Sequence, residues 1–340
     1  MIDGPIFSSR QALATAFANG LTELLEEREN LGTFILVMAN AFSDDSLFTM
    51  MGDKVEARFR ELKALYDRGE LPASAEDDEH VLLSMMELGY ESMERPVQRD
   101  TGPWHMQFNM LRSFRPPRAQ RAGISSIVQA FDERKFNFNR PFLAKEIFWQ
   151  GRFADHDVSL LYNKFPFMPL HGLWVPEQDK CHPQYLFEEM HHSIWDSCRQ
   201  IGATISDVGM GYNSLGAGAS VNHLHFQFFV DGPLPVESPS WNHHQGEVDY
   251  PVHCRLFESA EESWIEIEKL HQQNQPYNLI YRPGKLYLLP RAPQGSYENA
   301  DWSIALTWNE MAGSFVLFDK SACQAMSNED LSTELGKVAI

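Results

Sequence analysis

Positive charge is scarce in this chain: 28 Lys and Arg stand against 47 Asp and Glu in 340 residues, a formal net charge of −19 with histidines neutral. Such a field repels nucleic-acid backbones and anionic lipid, so neither is expected as a partner. Cysteine is sparse as well. Cys181, Cys198, Cys254 and Cys323 lie far apart with no CxxC pair, which argues against a disulfide framework or a zinc ribbon and for reduced thiols in a cytoplasmic protein. Long apolar runs are missing: FILVMANAF at 34–42 contains an asparagine and is far shorter than a membrane span. The first residues, MIDGPIFSS, have neither a basic n-region nor an apolar h-region, so no secretory signal is expected. Neither GxGxxG nor GxxxxGK[ST] occurs, which removes the usual dinucleotide and P-loop readings.

What is present is ample core material, with 43% hydrophobic and 12% aromatic residues. Residues 1–98 read as a helical region of unassigned role. Ser8 and Gln11 offer a capping box ahead of Leu13, Phe17, Leu21, Leu24 and Leu25, and 54–68 repeats the helical spacing through Val55, Phe59, Leu62 and Tyr66. The acidic run Glu76-Asp77-Asp78-Glu79 reads as a solvated loop or helix start. Across 99–340, short β-branched and aromatic stretches alternate with Pro and Gly, predicting strands at 104–108, 136–139, 158–161, 173–176, 223–230, 279–282, 285–289 and 314–318. Two amphipathic helices are expected at 185–201 and 258–273. This is an α+β pattern, an antiparallel sheet with packed helices, rather than a doubly wound parallel sheet.

The chemistry concentrates in GMGYNSLGAGASVNHLHFQFFV, residues 209–230. On a strand, His223, His225 and Gln227 share one face at roughly 7 Å spacing, and Leu224, Phe226 and Phe228 share the other, the core face. The preceding loop carries Asn213, Ser214, Gly216, Gly218 and Ser220, so backbone N–H groups and hydroxyls can approach an anion closely. An HxHxQ row beside such a loop suits attack on phosphorus, with one imidazole as nucleophile and its neighbours holding the non-bridging oxygens. Two histidines could also ligate a metal, but His243, His244, Cys181 and His182 sit at no recognised ligand spacing. A second segment, LYNKFPFMPLHGLWVPE at 161–177, reads as strand, turn and strand; its Asn163 is placed to clamp a nucleoside or merely to shape the turn.

GYNSLGAGASVNHLHFQ resembles the GDP-hexose phosphorylases, within the galactose-1-phosphate-uridylyltransferase-like (GalT-like) branch of the histidine-triad (HIT) superfamily. WHMQFNMLRSFRPPR, FDERKFNFNRP, YPVHCRLFE, NQPYNLIYRPGKLYLLPR and WNEMAGSFVLFDK extend the resemblance over about residues 100–335. It implies a HIT/GalT-like fold and a nucleotidyltransferase in which His225 attacks the α-phosphorus of an NDP-hexose, a GDP-hexose by preference. Hexose 1-phosphate leaves, and inorganic phosphate then releases NDP. His223 and Gln227 would assist. Asn163-Lys164 before Phe165-Pro166 looks more like the diadenosine tetraphosphate phosphorylases, so another NDP-sugar or a dinucleoside polyphosphate stays open. So do an idle nucleotide-binding protein on the same fold and a homodimer. The substrates bring charge that local cations must offset: Arg112 and Arg115 lead a cluster with Arg118 and Arg121, and Lys164, Arg282, Lys285 and Arg291 are further candidates. No cofactor and no metal are called for.

Overall fold

Apolar residues at helical spacing start the chain as helices packed on one another and on a sheet. The computed structural model describes residues 5–27, 31–72, 75–115 and 126–340. Helices α1 (Arg10–Leu25), α2 (Leu31–Ser43), α3 (Asp45–Asp67) and α4 (Glu76–Leu88) come first. The α1 cap is Ser9, whose hydroxyl accepts from the Ala12 N–H at 3.1 Å, one residue after the expected Ser8. In α2 every residue from Leu31 to Phe42 is buried, as an all-round apolar helix requires, and α1, α3 and α4 pack around it. The acidic run 76–79 is the first turn of α4, where carboxylates meet the positive end of the helix dipole.

Then follow β1 (Val97–Thr101), β2 (Trp104–Phe108), α5 (Met110–Ser113), β3 (Ile147–Phe153), β4 (His156–Tyr162), β5 (Gly172–Pro176), α6 (Glu188–Gly202), β6 (Val208–Asn213) and β7 (Phe226–Val230). The remainder holds β8 (Arg255–Phe257), α7 (Ala260–Gln272), β9 (Tyr277–Arg282), β10 (Lys285–Pro290), α8 (Trp308–Met311), β11 (Ser314–Leu317), α9 (Lys320–Ala325) and α10 (Asn328–Gly336). Eight strands form an antiparallel sheet in the order β3-β4-β5-β7-β6-β9-β10-β8. A smaller sheet pairs β1 antiparallel and β11 parallel to β2. The α+β expectation holds.

Two strand expectations need correcting. Residues 136–139 are turn and irregular chain, because the Asn137 amide donates to the Glu133 and Lys135 carbonyls and accepts from the Asn139 N–H, local bonds that outcompete a ladder. The strand expected at 223–230 begins only at Phe226; His223, Leu224 and His225 precede it in irregular chain. The alternation nevertheless survives on the core face, where Leu224, Phe226 and Phe228 are fully buried. The first helices share that core. Phe7 lies 5.1 Å from Trp149, 6.1 Å from Trp174 and 6.2 Å from Phe228, and the Tyr162 hydroxyl donates to the Phe17 carbonyl at 2.7 Å. Among the described residues no helix is long and apolar enough to cross a membrane.

The centre of the large sheet, β5-β7-β6, carries the loop between β6 and β7, and β6 is packed tightly on its far side. A Cβ on Gly211 would lie 2.2 Å from the Trp308 indole, which itself stacks on Phe229 at 4.9 Å. Gly211→Ala is therefore expected to lower stability by about 1–3 kcal/mol through overpacking, seen as a lower midpoint at unchanged slope in urea unfolding. An unchanged midpoint would show that the Trp308 stack yields freely.

Candidate active site

His225 is 8% exposed and sits against the edge of Phe138, ring centroids 5.0 Å apart. Its Nδ1 is 2.8 Å from the carbonyl oxygen of His223. A carbonyl only accepts, so Nδ1 carries the proton and Nε2 carries the lone pair. Among the described residues nothing hydrogen-bonds that Nε2. Burial lowers the pKa of the ring to about 4, which keeps it neutral near pH 7.

His223 is fully buried with the opposite tautomer. Its Nδ1 accepts from the Phe138 N–H at 3.2 Å and its Nε2 donates to the Gln178 carbonyl at 3.1 Å, with the pKa down to about 4, chiefly by burial. Gln178 in turn donates to the Phe138 carbonyl at 2.7 Å. Both nitrogens of His223 are thus engaged with main chain, and the residue holds the Phe138 wall against His225.

Gln227 shares the His225 side of β7. Its Oε1 lies 3.1 Å from Nε2 of His171, a fully buried residue just before β5. The His171 Nδ1 accepts the Phe167 N–H at 3.4 Å, so a neutral His171 carries its proton on Nε2 and donates to Gln227. Burial, helped by Arg112, takes the His171 pKa down to about 3, so it is neutral. Asn163 Nδ2 approaches the same Nε2 at 3.2 Å, while Asn163 Oδ1 accepts from the Phe165 N–H at 3.1 Å. The proton on His171 settles the competition for Gln227, whose own amide nitrogen is left without a protein partner among the described residues.

The glycine loop follows β6. Gly216 and Gly218 adopt φ +80° and +97°, and a Cβ at Gly218 would meet the Thr307 backbone at 3.3 Å. Among the described residues no backbone N–H from Gly218 through His223 has a hydrogen-bond partner. Ser220 is exposed at this loop. Asn213 and Ser214 hold its root. The Asn213 Oδ1 accepts from Asn278 at 2.6 Å and from the Trp308 N–H at 2.8 Å, and the Ser214 hydroxyl accepts the Tyr277 N–H at 2.9 Å. Asn222 ties the far side down by donating to the Ala130 carbonyl at 2.9 Å.

The expected cations divide. The Arg112 guanidinium donates to the Phe165 carbonyl at 2.6 Å and lies 4.9 Å from the Phe167 ring, which meets His171 edge-on at 4.4 Å. Its Nε is buried with no partner among the described residues. Burial lowers the Arg112 pKa, and Glu310 partly offsets this. Arg115 lies 5.6 Å from the Phe165 ring; Arg118 and Arg121 fall outside the described residues. Lys164 pairs with Asp78 of α4 at 2.6 Å. Arg282 pairs with Glu237 at 2.6 Å, and fully buried Arg291 bonds the Leu306 carbonyl and the Tyr297 hydroxyl. The side chains weighed as metal ligands have other partners: His243 donates to the Val236 carbonyl and His182 contacts Glu177.

The neutral imidazole with its open Nε2 and the glycine loop whose N–H groups have no partner among the described residues thus lie close in sequence at the centre of an antiparallel sheet, and solved structures share this fold. The yeast Ap4A phosphorylase Apa2 in complex with Ap4A superposes with a TM-score of 0.50 at 13% identity, covering 72% of this chain and 89% of that one; its AMP complex gives 0.50 at 12%, covering 72% and 88%. Residues 91–229 match the family model "GDPGP1-like, N-terminal domain". Among curated proteins, GDP-D-glucose phosphorylase 1 of Danio rerio is 34% identical over 135 residues, 39% of this chain and 38% of the relative. GDP-L-galactose phosphorylase 2 of Arabidopsis thaliana is 26% identical over 265 residues, 64% and 60%. The chain thus spans between about two fifths and three fifths of the length of these relatives.

Removing the His223 ring leaves the Phe138 N–H without its partner and takes one donor from the Gln178 carbonyl, which still accepts from the Asn139 amide and the Cys181 N–H. His223→Ala is expected to cost about 2 kcal/mol or more of unfolding free energy, while His225→Ala, whose ring holds one internal bond, costs less. Equal losses in urea unfolding would contradict the anchoring assignment of His223.

Proposed function

We propose that this protein is a nucleotidyltransferase that cleaves an NDP-hexose, a GDP-hexose by preference, with inorganic phosphate. The observation that carries the reading is the neutral, tautomer-fixed His225 whose Nε2 lone pair has no partner among the described residues. The names of the relatives supply the substrate class. Nε2 attacks the α-phosphorus, an N–P bond forms, and the P–O bond to the β-phosphoryl group breaks with its electron pair leaving on hexose 1-phosphate. The nucleotidylated ring is cationic, and its Nδ1–H bond to the His223 carbonyl becomes charge-assisted. An oxygen of phosphate then attacks the same phosphorus, NDP departs, and the lone pair returns to Nε2. The N–H groups of Gly218 through His223, with Ser220, receive the non-bridging oxygens. The Gln227 amide nitrogen adds a donor, and Arg112 and Arg115 supply positive charge. Asn163 contributes through the turn it shapes, and Lys164 through its tie to α4. Asn213, Ser214 and Gly216 act by setting the loop.

We place residues 99–340 as the catalytic domain, with 1–98 as a helical support reaching the Asn163 turn. That support runs through the Asp78–Lys164 pair and through Asn40, which donates to the Asn163 carbonyl at 2.9 Å. The reading sets the enzyme in the cytoplasm, acting on a nucleotide-sugar and phosphate, and admits a homodimer.

Incubating the protein with GDP-hexoses, other NDP-sugars and Ap4A, each with phosphate, and weighing products and intact protein tests this directly. His225→Ala is expected to lose the nucleotidyl adduct and turnover while keeping nucleotide affinity within about tenfold. The wild-type rate of adduct formation should stay level down through weakly acidic pH and fall only as pH approaches about 4, because protonation of the lowered imidazole removes the nucleophile. A limb at the ordinary histidine pKa, or an active alanine variant, would refute the nucleophile.

Gln227 cannot move a proton, which disfavours water as acceptor. Gln227→His is expected to raise the ratio of hydrolysis to phosphorolysis, measured as NMP against NDP released. An unchanged ratio would remove this role.

A further inference from the structure

In the pairing of β6 with β7, Val208 faces Val230 and Gly211 faces Gln227. Continued two residues further, that register would set Asn213 opposite His225. The strands part there instead, and the side-chain amide of Gln184 occupies the opening. Its Nε2 donates to the Asn213 carbonyl at 2.9 Å and to the His225 carbonyl at 3.1 Å, and its Oε1 accepts the His225 N–H at 2.9 Å. Gln184 is 1% exposed and comes from the chain between β5 and α6. Its own main chain is held on both sides: the N–H donates to Asn222 Oδ1 at 2.9 Å and the carbonyl accepts from the Tyr212 hydroxyl at 3.3 Å.

We propose that Gln184 is a positioning residue for the His225 nucleophile, an amide wedge that replaces the absent strand pairing and fixes the main chain from which the imidazole projects. The proposal rests on the nucleotidyl-transfer reading above. The wedge satisfies both backbone groups of His225, so His225 is not drawn into the ladder opposite Asn213. It thereby leaves the ring free to fold back onto the His223 carbonyl, and it splays β6 from β7 so that the glycine loop can leave the sheet with its N–H groups unpaired. Gln184 touches no reacting atom; its effect runs through the geometry of one residue.

A glutamate is isosteric and separates positioning from folding. One carboxylate oxygen can still accept the His225 N–H, but the other faces two carbonyl oxygens and, once protonated, has one hydrogen to donate between them. The carboxyl pKa of the variant is therefore raised, with positioning partly restored at low pH and lost as pH rises through that value. Adduct formation with GDP-glucose is followed by rapid quench in wild type, Gln184→Glu and Gln184→Ala. Gln184→Glu is expected to be about tenfold slower or more near neutral and alkaline pH, with the deficit shrinking toward acid, and Gln184→Ala slow throughout, while GDP binds within about threefold of wild type. A variant as fast as wild type, or a Gln184→Glu deficit of the same size at every pH, overturns the proposal. Nitrogen-15 spectra of the imidazoles give a readout independent of turnover: the Nδ1–H form of His225 should be lost in a folded variant. Its retention in both variants overturns the proposal even if wild type forms no adduct, whereas absence of adduct from wild type alone refutes the functional reading.

Discussion

One hydrogen bond decides what the site can do: Nδ1–H of His225 to the carbonyl two residues earlier in its own chain, at 2.8 Å. In an extended strand, residues i and i+2 stand roughly 7 Å apart and project sideways, which does not favour so short a bond back along the chain. The irregular backbone before Phe226 is therefore part of the chemistry, because it lets the ring fold back and present Nε2. His223, two residues away, shows the opposite proton placement for an equally simple reason, since a backbone N–H meets its Nδ1 and a carbonyl meets its Nε2. Identical side chains are made unlike by the main-chain groups around them.

A protein with net charge −19 that is proposed to receive phosphate needs attraction that works at short range. Several of its cations are committed elsewhere: Lys164 to Asp78, Arg282 to Glu237, Arg291 to buried oxygens. What the proposal offers the phosphoryl group is chiefly dipolar, the N–H run from Gly218 to His223, without partners among the described residues, and the Gln227 amide. Such donors need no counter-charge and little rearrangement when an anion arrives. Arg112 complements them as a desolvated cation behind Phe167 and His171, where the lower dielectric strengthens its pull.

The sequence made the architecture largely legible, because apolar spacing at 10–25, 54–68 and 258–273 and alternation at 104–108, 158–161 and 285–289 correspond to α1, α3, α7, β2, β4 and β10. It concealed β6, whose VGMGYN has two glycines and no alternation because the whole strand is buried. It suggested a strand at 136–139 because local Asn137 bonds are invisible in a propensity. The HxHxQ spacing singled out His223, His225 and Gln227 and put all three on one face, but it could not foresee that both ring nitrogens of His223 meet main chain. Gln184 and His171 left no signal of their own. A buried amide or imidazole earns its place by what it meets across the fold.

The protonation pattern also bears on which acceptor the site prefers. The imidazoles of His171, His223 and His225 have pKa values lowered to about 3, 4 and 4, so all three are neutral at physiological pH. Two hold their proton against a carbonyl and the third against the Gln227 amide oxygen. Water must lose a proton as it attacks phosphorus, and a general base with a pKa of about 4 or below is a weak recipient. Phosphate dianion arrives already deprotonated and needs only to be placed. In the proposed reaction, burial that depresses these imidazoles together favours phosphorolysis over hydrolysis, and the neutral amide at Gln227 keeps that preference intact where an imidazole would introduce a proton carrier.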